Sequence, residues 1–115
     1  MISAVPAHDP QMLKGVLSLL LLHLVAEQED YGYSLVVRLR ADGFVHLAEG
    51  TVYPALSRLE SHGLLSSRLQ QSAAGPARKY YGLTGSGRAA LTTGLDAWSS
   101  LVGSVAAVLS RRSAS

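Results

Sequence analysis

The side chains best suited to holding an anion stand between Gly50 and Thr84. Arg78 and Lys79 follow Gly75-Pro76-Ala77, in a segment whose small, turn-forming residues fit a hairpin tip. Ahead of them, GTVYPALSRLESHGLL (Gly50–Leu65) repeats Val52, Leu56 and Leu59 at i, i+4 and i+7. That spacing gives a helix one buried stripe. Its opposite face then shows Thr51, Tyr53, Pro54, Ser57, Arg58 and Ser61. Hydroxyls and a guanidinium on one face can reach the phosphates or base edges of a duplex. The face is short of Arg, Asn and Gln, so its direct base readout is sparse and the hairpin cations supply the grip. Each residue also has a plainer role. Arg58 can pair with neighbouring acids, Tyr53 and Pro54 can pack the helix start, and Arg78 and Lys79 can keep an exposed hairpin soluble.

Other chemistries find no support. No paired carboxylates, nucleophile–base arrangement or phosphate loop is present. His8, His23, His46 and His62 are scattered without the close spacing of zinc ligands. GSGRAA (Gly85–Ala90) holds a Gly-x-Gly, but it opens a helix after a hairpin, and helix capping explains it better than a dinucleotide. There is no cysteine, which removes disulfides, thiolate metal sites and thiol redox sensing. The sequence therefore predicts neither an enzyme nor a cofactor or metal, and its composition fits a reducing cytoplasm.

The 115 residues suffice for one domain with one core. They are 48% hydrophobic and only 16% charged, an apolar surplus that points to surface buried against a partner chain. The net charge of +2 is unevenly spread. Residues 1–49 carry Lys14, Arg38 and Arg40 against Asp9, Glu27, Glu29, Asp30, Asp42 and Glu49, a balance of −3. Residues 50–96 carry Arg58, Arg68, Arg78, Lys79 and Arg88 against Glu60 and Asp96, a balance of +3. A basic half around a hairpin is the footprint of an anionic partner. The apolar run Val16–Ala26 is shorter than the ~20 residues that span a bilayer, and no basic start precedes it, so no membrane role is expected.

The positioning elements follow from periodicity. Residues 1–9 read as a loose arm. A helix from Pro10 to Glu27 is apolar nearly all round and so needs cover on more than one side. Asp30 is placed to cap a second helix, Tyr31–Ala41, with Leu35 and Leu39 inward. Val45-His46-Leu47 suits a short strand or an extended link. The third helix, about Glu49 to His62, ends at Gly63. Leu64–Gln71 and Arg78–Leu83 are strand candidates joined by SAAGPA, with Tyr81 and Leu83 toward the core and Arg78 and Tyr80 on the other face. Thr84 caps a final helix running to about Ser110. There Leu91, Leu95, Trp98, Val102, Val105 and Leu109 recur at spacings of 4, 3, 4, 3 and 4, a heptad seam. At ~1.5 Å per residue that helix is about 40 Å long, and it overshoots a body of roughly 12 Å radius of gyration. Its far half calls for a second subunit. The fold class is mainly α with a small β-hairpin: a winged helix-turn-helix over residues 10–83, a dimerisation helix over 84–112 and a tail over 113–115.

Three blocks resemble the PadR-like transcriptional regulators, in particular their short class. They are LKGVLSLLLLHLVAEQEDYGYSLVVRL (Leu13–Leu39), GTVYPALSRLESHGLLSSR (Gly50–Arg68) and GPARKYYGLTGSGRAAL (Gly75–Leu91). The resemblance implies a homodimeric winged-helix repressor of double-stranded DNA. Its DNA contacts would fall on Tyr33, Ser34, Gly50, Thr51, Tyr53, Ser57, Gly75, Arg78, Lys79 and Tyr80. The last helix would dimerise together with the first, which places Leu13, Leu17, Leu20, Leu91, Leu95, Trp98, Val102, Val105 and Leu109 at the interface. Several short members take planar aromatic or phenolic ligands near the dimer centre, often against a tryptophan, and Trp98 matches that place. Two roles fit Trp98: filler of a dimer core, or wall of a ligand slot, with the small residues Gly94, Ala97, Ser99 and Gly103 leaving room. Two departures bear on grip. Ala48-Glu49 replaces the frequent Ser-Pro before helix three, and Gly82 stands where a basic residue is common. A dimer predicts an inverted-repeat operator with half-sites roughly 10 bp apart. The alternative function is a winged helix used only for protein contacts, without DNA binding.

Overall fold

The computed structural model describes residues 8–111. The expected arm up to residue 7 and the tail from residue 112 lie outside that range. Four helices and three short strands run in the order α1 (Pro10–Glu27), β1 (Asp30–Tyr31), α2 (Gly32–Ala41), α3 (Glu49–Ser61), β2 (Leu65–Ser72), β3 (Gly75–Leu83) and α4 (Gly85–Ser110).

Helix α1 starts as its sequence dictates, with Pro10 in the first turn. Asp9, expected in the arm, is its N-cap and accepts from the backbone N–H groups of Gln11 and Met12. The helix has 18 residues and a mean hydropathy of 1.2, long and apolar enough by those measures to cross a membrane. Its Leu17, Leu21, Leu22, Leu24 and Val25 are instead buried in the domain's core. The helix spans Pro10–Glu27 as its residues predict, and the apolar run Val16–Ala26 is only its middle and end.

Helices α2 and α3 form the helix-turn-helix. Both end in a Schellman turn. After α3, Leu64 N–H donates to the Leu59 carbonyl and Gly63 N–H to that of Glu60, with Gly63 at φ 74°. Val45–Leu47, expected as a strand or extended link, is a turn-containing connection, tied down by Arg40 Nε donating to the Leu47 carbonyl at 2.8 Å. Asp30 does not cap α2 as expected. The N-cap is Tyr31, with no side-chain bond. Asp30 sits one residue earlier, in β1, where its buried carboxylate accepts from Tyr31 N–H, Ser34 Oγ and Arg38 Nη1.

The sheet is three-stranded and antiparallel, in the order β1-β3-β2, where the sequence suggested a two-stranded hairpin. A two-residue strand escapes periodicity, because alternation needs several residues to show. The hairpin is also longer than expected. Strand β3 begins at Gly75, Ser72 pairs with Gly75, and only Ala73-Ala74 turn the chain. Gly75 and Pro76 are therefore strand residues beside an irregularity in the register, not loop.

The core gathers α1, α2, α3, Leu65, Tyr81 and Leu91. Thr84 caps α4 by accepting from Gly87 N–H at 2.9 Å, and its hydroxyl lies 2.6 Å from the Gly63 carbonyl that accepts from it. Beyond Gly94, which still lies against Leu19 of α1, α4 leaves the body. The molecule extends 63 × 42 × 20 Å with a Cα radius of gyration of 16.8 Å, against about 13 Å for a compact domain of this length.

Candidate nucleic-acid interface

The exposed face of α3 is built as the sequence implied. Val52, Ala55, Leu56 and Leu59 turn into the core, leaving Gly50, Thr51, Tyr53, Pro54, Ser57 and Arg58 exposed. Among the described residues Arg58 forms no ion pair, so its guanidinium is available. Tyr53 is partly spoken for by packing. Its ring fills the space that a Cβ on Gly32 would need, so Gly32 is what lets α2 and α3 close on each other. Burial, and after it the charge of the Glu49 carboxylate and of the ionisable hydroxyls of Tyr81 and Tyr31, hold the Tyr53 hydroxyl above its ordinary pKa. It therefore remains a donor. Helix α3 starts without a side-chain cap, because Ala48 occupies the N-cap. Its first N–H groups are thus open to an external acceptor, with Glu49 beside them.

On α2, Tyr33 is exposed, while Ser34 Oγ donates inward to Asp30 at 2.6 Å. Arg38 completes this anchor: Nη1 binds Asp30 at 3.1 Å, and Nη2 reaches the Leu24 carbonyl and Glu27, each at 3.3 Å. The network fastens the end of α1 to β1, which in turn pairs with the wing strand β3. In the sequence Asp30 and Arg38 look like unrelated charges eight residues apart, one in β1 and the other two helical turns into α2.

The wing separates the two adjacent cations. Strand alternation sends Arg78 to the outer face, with its guanidinium over the Tyr31 ring at 4.4 Å. Tyr80 lies beside it, 5.3 Å from Tyr31 and under Arg68. Lys79 projects from the other face toward α3 and ion-pairs with Glu60 at 2.8 Å. The sequence placed Arg78 and Lys79 together near the tip as equivalent groups; in the fold they are neither near the tip nor alike. Glu60 also accepts from Ser67 Oγ. These two hydrogen bonds hold its carboxyl below the usual range, and the same contact holds the Lys79 ammonium above its own. Arg68, the third wing cation, pairs with Glu29 at 3.0 Å. Glu29 also explains Gly82: a Cβ there would lie 2.7 Å from the Glu29 carboxylate. The place of a basic side chain is thus filled by an acid.

The expected interface residues divide. Leu17 and Leu91 are buried in the chain's own core, so their period reflects internal packing and they are not free to meet a partner. Leu13 and Leu20 are half-buried against that core. Leu95, Trp98, Val102, Val105 and Leu109 remain 43–73% exposed, together with Leu101 and Val108. Of the small residues near Trp98, Gly94 is already used, since a Cβ there would meet Leu19 at 2.8 Å, whereas Gly103 has nothing within 4 Å.

Comparison with known proteins agrees with this architecture. The model of the transcriptional regulator PadR-like family matches residues 21–93. The chain is similar to the transcriptional regulator Rv3488 of Mycobacterium tuberculosis, 42% identical over 79 residues, covering 69% of this chain and 72% of that one. It is similar in structure to a PadR-like transcriptional regulator from Bacillus cereus, with TM-score 0.79, 36% identity, and 89% and 99% of the two chains covered. A PadR family regulator from Eggerthella lenta gives TM-score 0.80 at 32% identity, over 89% and 88% of the chains. These relatives are transcriptional regulators rather than enzymes, and the chain belongs to the PadR-like family of transcriptional regulators, with its winged helix-turn-helix fold.

Proposed function

We propose that this regulator is a cytoplasmic homodimeric repressor that binds an inverted-repeat operator and leaves it when a planar aromatic or phenolic molecule binds near Trp98. The observation that carries the dimer is α4. Residues 95–110 are all exposed, yet Leu95, Trp98, Leu101, Val102, Val105, Val108 and Leu109 make a continuous apolar stripe there. A stripe of that length on one helix is poorly stable in water and fits bundle-type packing against a second copy, with the half-buried Leu13 and Leu20 of α1 at its margin. The unit over residues 10–83 then reads DNA, and α4 sets the spacing between two such units.

DNA contact rests on the exposed Thr51, Ser57 and Arg58 of α3, on Tyr33 and the neighbouring Ser34, on the open N–H groups at Gly50, and on the wing with Gly75, Arg78, Lys79 and Tyr80. Arg78 is exposed, stacks on Tyr31 and has no ion-pair partner among the described residues, which makes it the leading phosphate contact. Sedimentation equilibrium at micromolar concentration should give a dimer. A mobility shift with the DNA upstream of the protein's own gene should give a discrete complex that weakens with salt. A monomer would sink the symmetric operator. Equal indifference to every duplex at low ionic strength would assign the surface to protein contacts instead.

A further inference from the structure

We propose that Lys79 is an exchangeable contact: Glu60 holds its ammonium against the recognition helix in the free protein, and a DNA phosphate must displace Glu60 before Lys79 can grip. The proposal rests on the DNA-binding reading above and adds to it the residue that sets the strength of the wing's grip. Glu60 lies in the last full turn of α3. One carboxylate oxygen meets Lys79 Nζ at 2.8 Å, and the other accepts from Ser67 Oγ. The acid is therefore fixed by a donor from each strand of the hairpin. It joins the wing to the helix that meets the major groove. Lys79 also lies 5.5 Å from the centre of the Tyr81 ring, so it is held on the inner face of β3 rather than swinging freely. Raised basicity of Lys79 and lowered basicity of Glu60 agree with a formed pair.

The three wing cations differ in this respect. Arg78 has no carboxylate partner among the described residues and stacks on Tyr31. Arg68 and Glu29 form a solvated pair, each more than half exposed, whereas Glu60 is only 31% exposed. An ammonium already neutralised by a fixed carboxylate adds little to counterion release when it moves to a phosphate, because the abandoned carboxylate recruits a cation in turn. Lys79 should thus contribute less to the salt dependence of binding than a free lysine, whose share of the slope is about 0.9.

The test is a double-mutant cycle. Binding of the native chain, Lys79→Ala, Glu60→Gln and the double variant to a fluorescein-labelled duplex from the upstream region is followed by anisotropy across a range of roughly 50–200 mM salt. Glu60→Gln keeps a group that Ser67 can still reach, and circular dichroism melts check that each variant folds. Glu60→Gln should tighten binding roughly two- to five-fold, the range of an exposed ion pair, and steepen the salt slope by about 0.9. In the Lys79→Ala background the same substitution should change neither. Lys79→Ala alone should flatten the slope by clearly less than it does in the Glu60→Gln background. Equal tightening by Glu60→Gln with and without Lys79 would reduce Glu60 to a general repulsive charge and overturn the exchange, as would no tightening at all. If the native chain and every variant ignore all duplexes at low salt, the DNA-binding reading itself fails, and the exchange with it.

Discussion

Single side chains hold this molecule at its corners, and Thr84 shows how. One hydroxyl caps α4 through Gly87 N–H and donates to the Gly63 carbonyl where α3 gives way to β2. Thr84→Val keeps the volume and removes the cap together with the hydroxyl's donation to the Gly63 and Leu64 carbonyls, so urea unfolding should report a loss of about 1–2 kcal/mol. The Glu60–Lys79 pair sets a pH dependence with a definite sign. Glu60 has a lowered pKa in the fold, so its contribution is present above the ordinary carboxylate value and is lost as pH falls through the lowered one. Lys79 has a raised pKa, so its share is present below the ordinary lysine value and is lost as pH rises through the raised one. Between those limits the pair is intact. The urea midpoint of the native chain relative to Glu60→Gln should therefore be flat near neutrality and converge at acid pH. A constant difference down to strongly acid pH would show that the pair does not form in solution.

At the scale of elements, α3 carries a defect at its start. Ala48 occupies the N-cap with extended backbone, φ −99° and ψ 148°, the conformation a capping serine uses. Ala48→Ser should stabilise the domain by about 1 kcal/mol, read as a shifted urea midpoint. It should also leave the exposed face of α3 unchanged. The wing shows the opposite case, an element whose orientation is over-determined. Strand β1 pins β3 on one side, Arg68 and Glu29 tie β2 to the chain just before β1, and Glu60 ties both strands of the hairpin to α3. Glu29 lying against Gly82 means that Gly82→Lys would not simply restore a basic wing residue, since the new side chain must first displace an acid.

The whole molecule is two unequal parts, a packed winged helix and a projecting α4. Leu91 belongs to the first and Val102 to the second, although both stand on the same heptad seam. Leu91→Ala should cost about 2–4 kcal/mol as a cavity in the chain's own core, whatever the oligomeric state. Val102→Glu should leave that core intact and act on the proposed dimer, where a buried unpaired carboxylate costs about 3–5 kcal/mol. Sedimentation should then show monomers, and operator binding should fall because two half-sites are no longer linked. Trp98, 44% exposed on the single chain, reports on the proposed slot. A planar aromatic compound that enters it should quench the fluorescence, and unchanged emission across a broad panel would leave Trp98 as interface filling alone.

Periodicity and end signals made the helices, the Gly63 stop, the Thr84 cap and the exposed side of α3 legible before any coordinates, because each depends on residues within a few positions of one another. The charge asymmetry and the three quoted blocks pointed to a regulator of DNA for the same reason: they are properties of order along the chain. Partners far apart in sequence were not legible. Asp30 meets Arg38 instead of capping α2, Glu29 reaches Arg68 across 39 positions, and Glu60 meets Lys79, since such pairs arise only when strands and helices pack. The seam of α4 is the clearest instance. Its spacing is uniform from Leu91 to Leu109, but where the body ends decides which of those side chains the chain covers with its own core and which it leaves exposed.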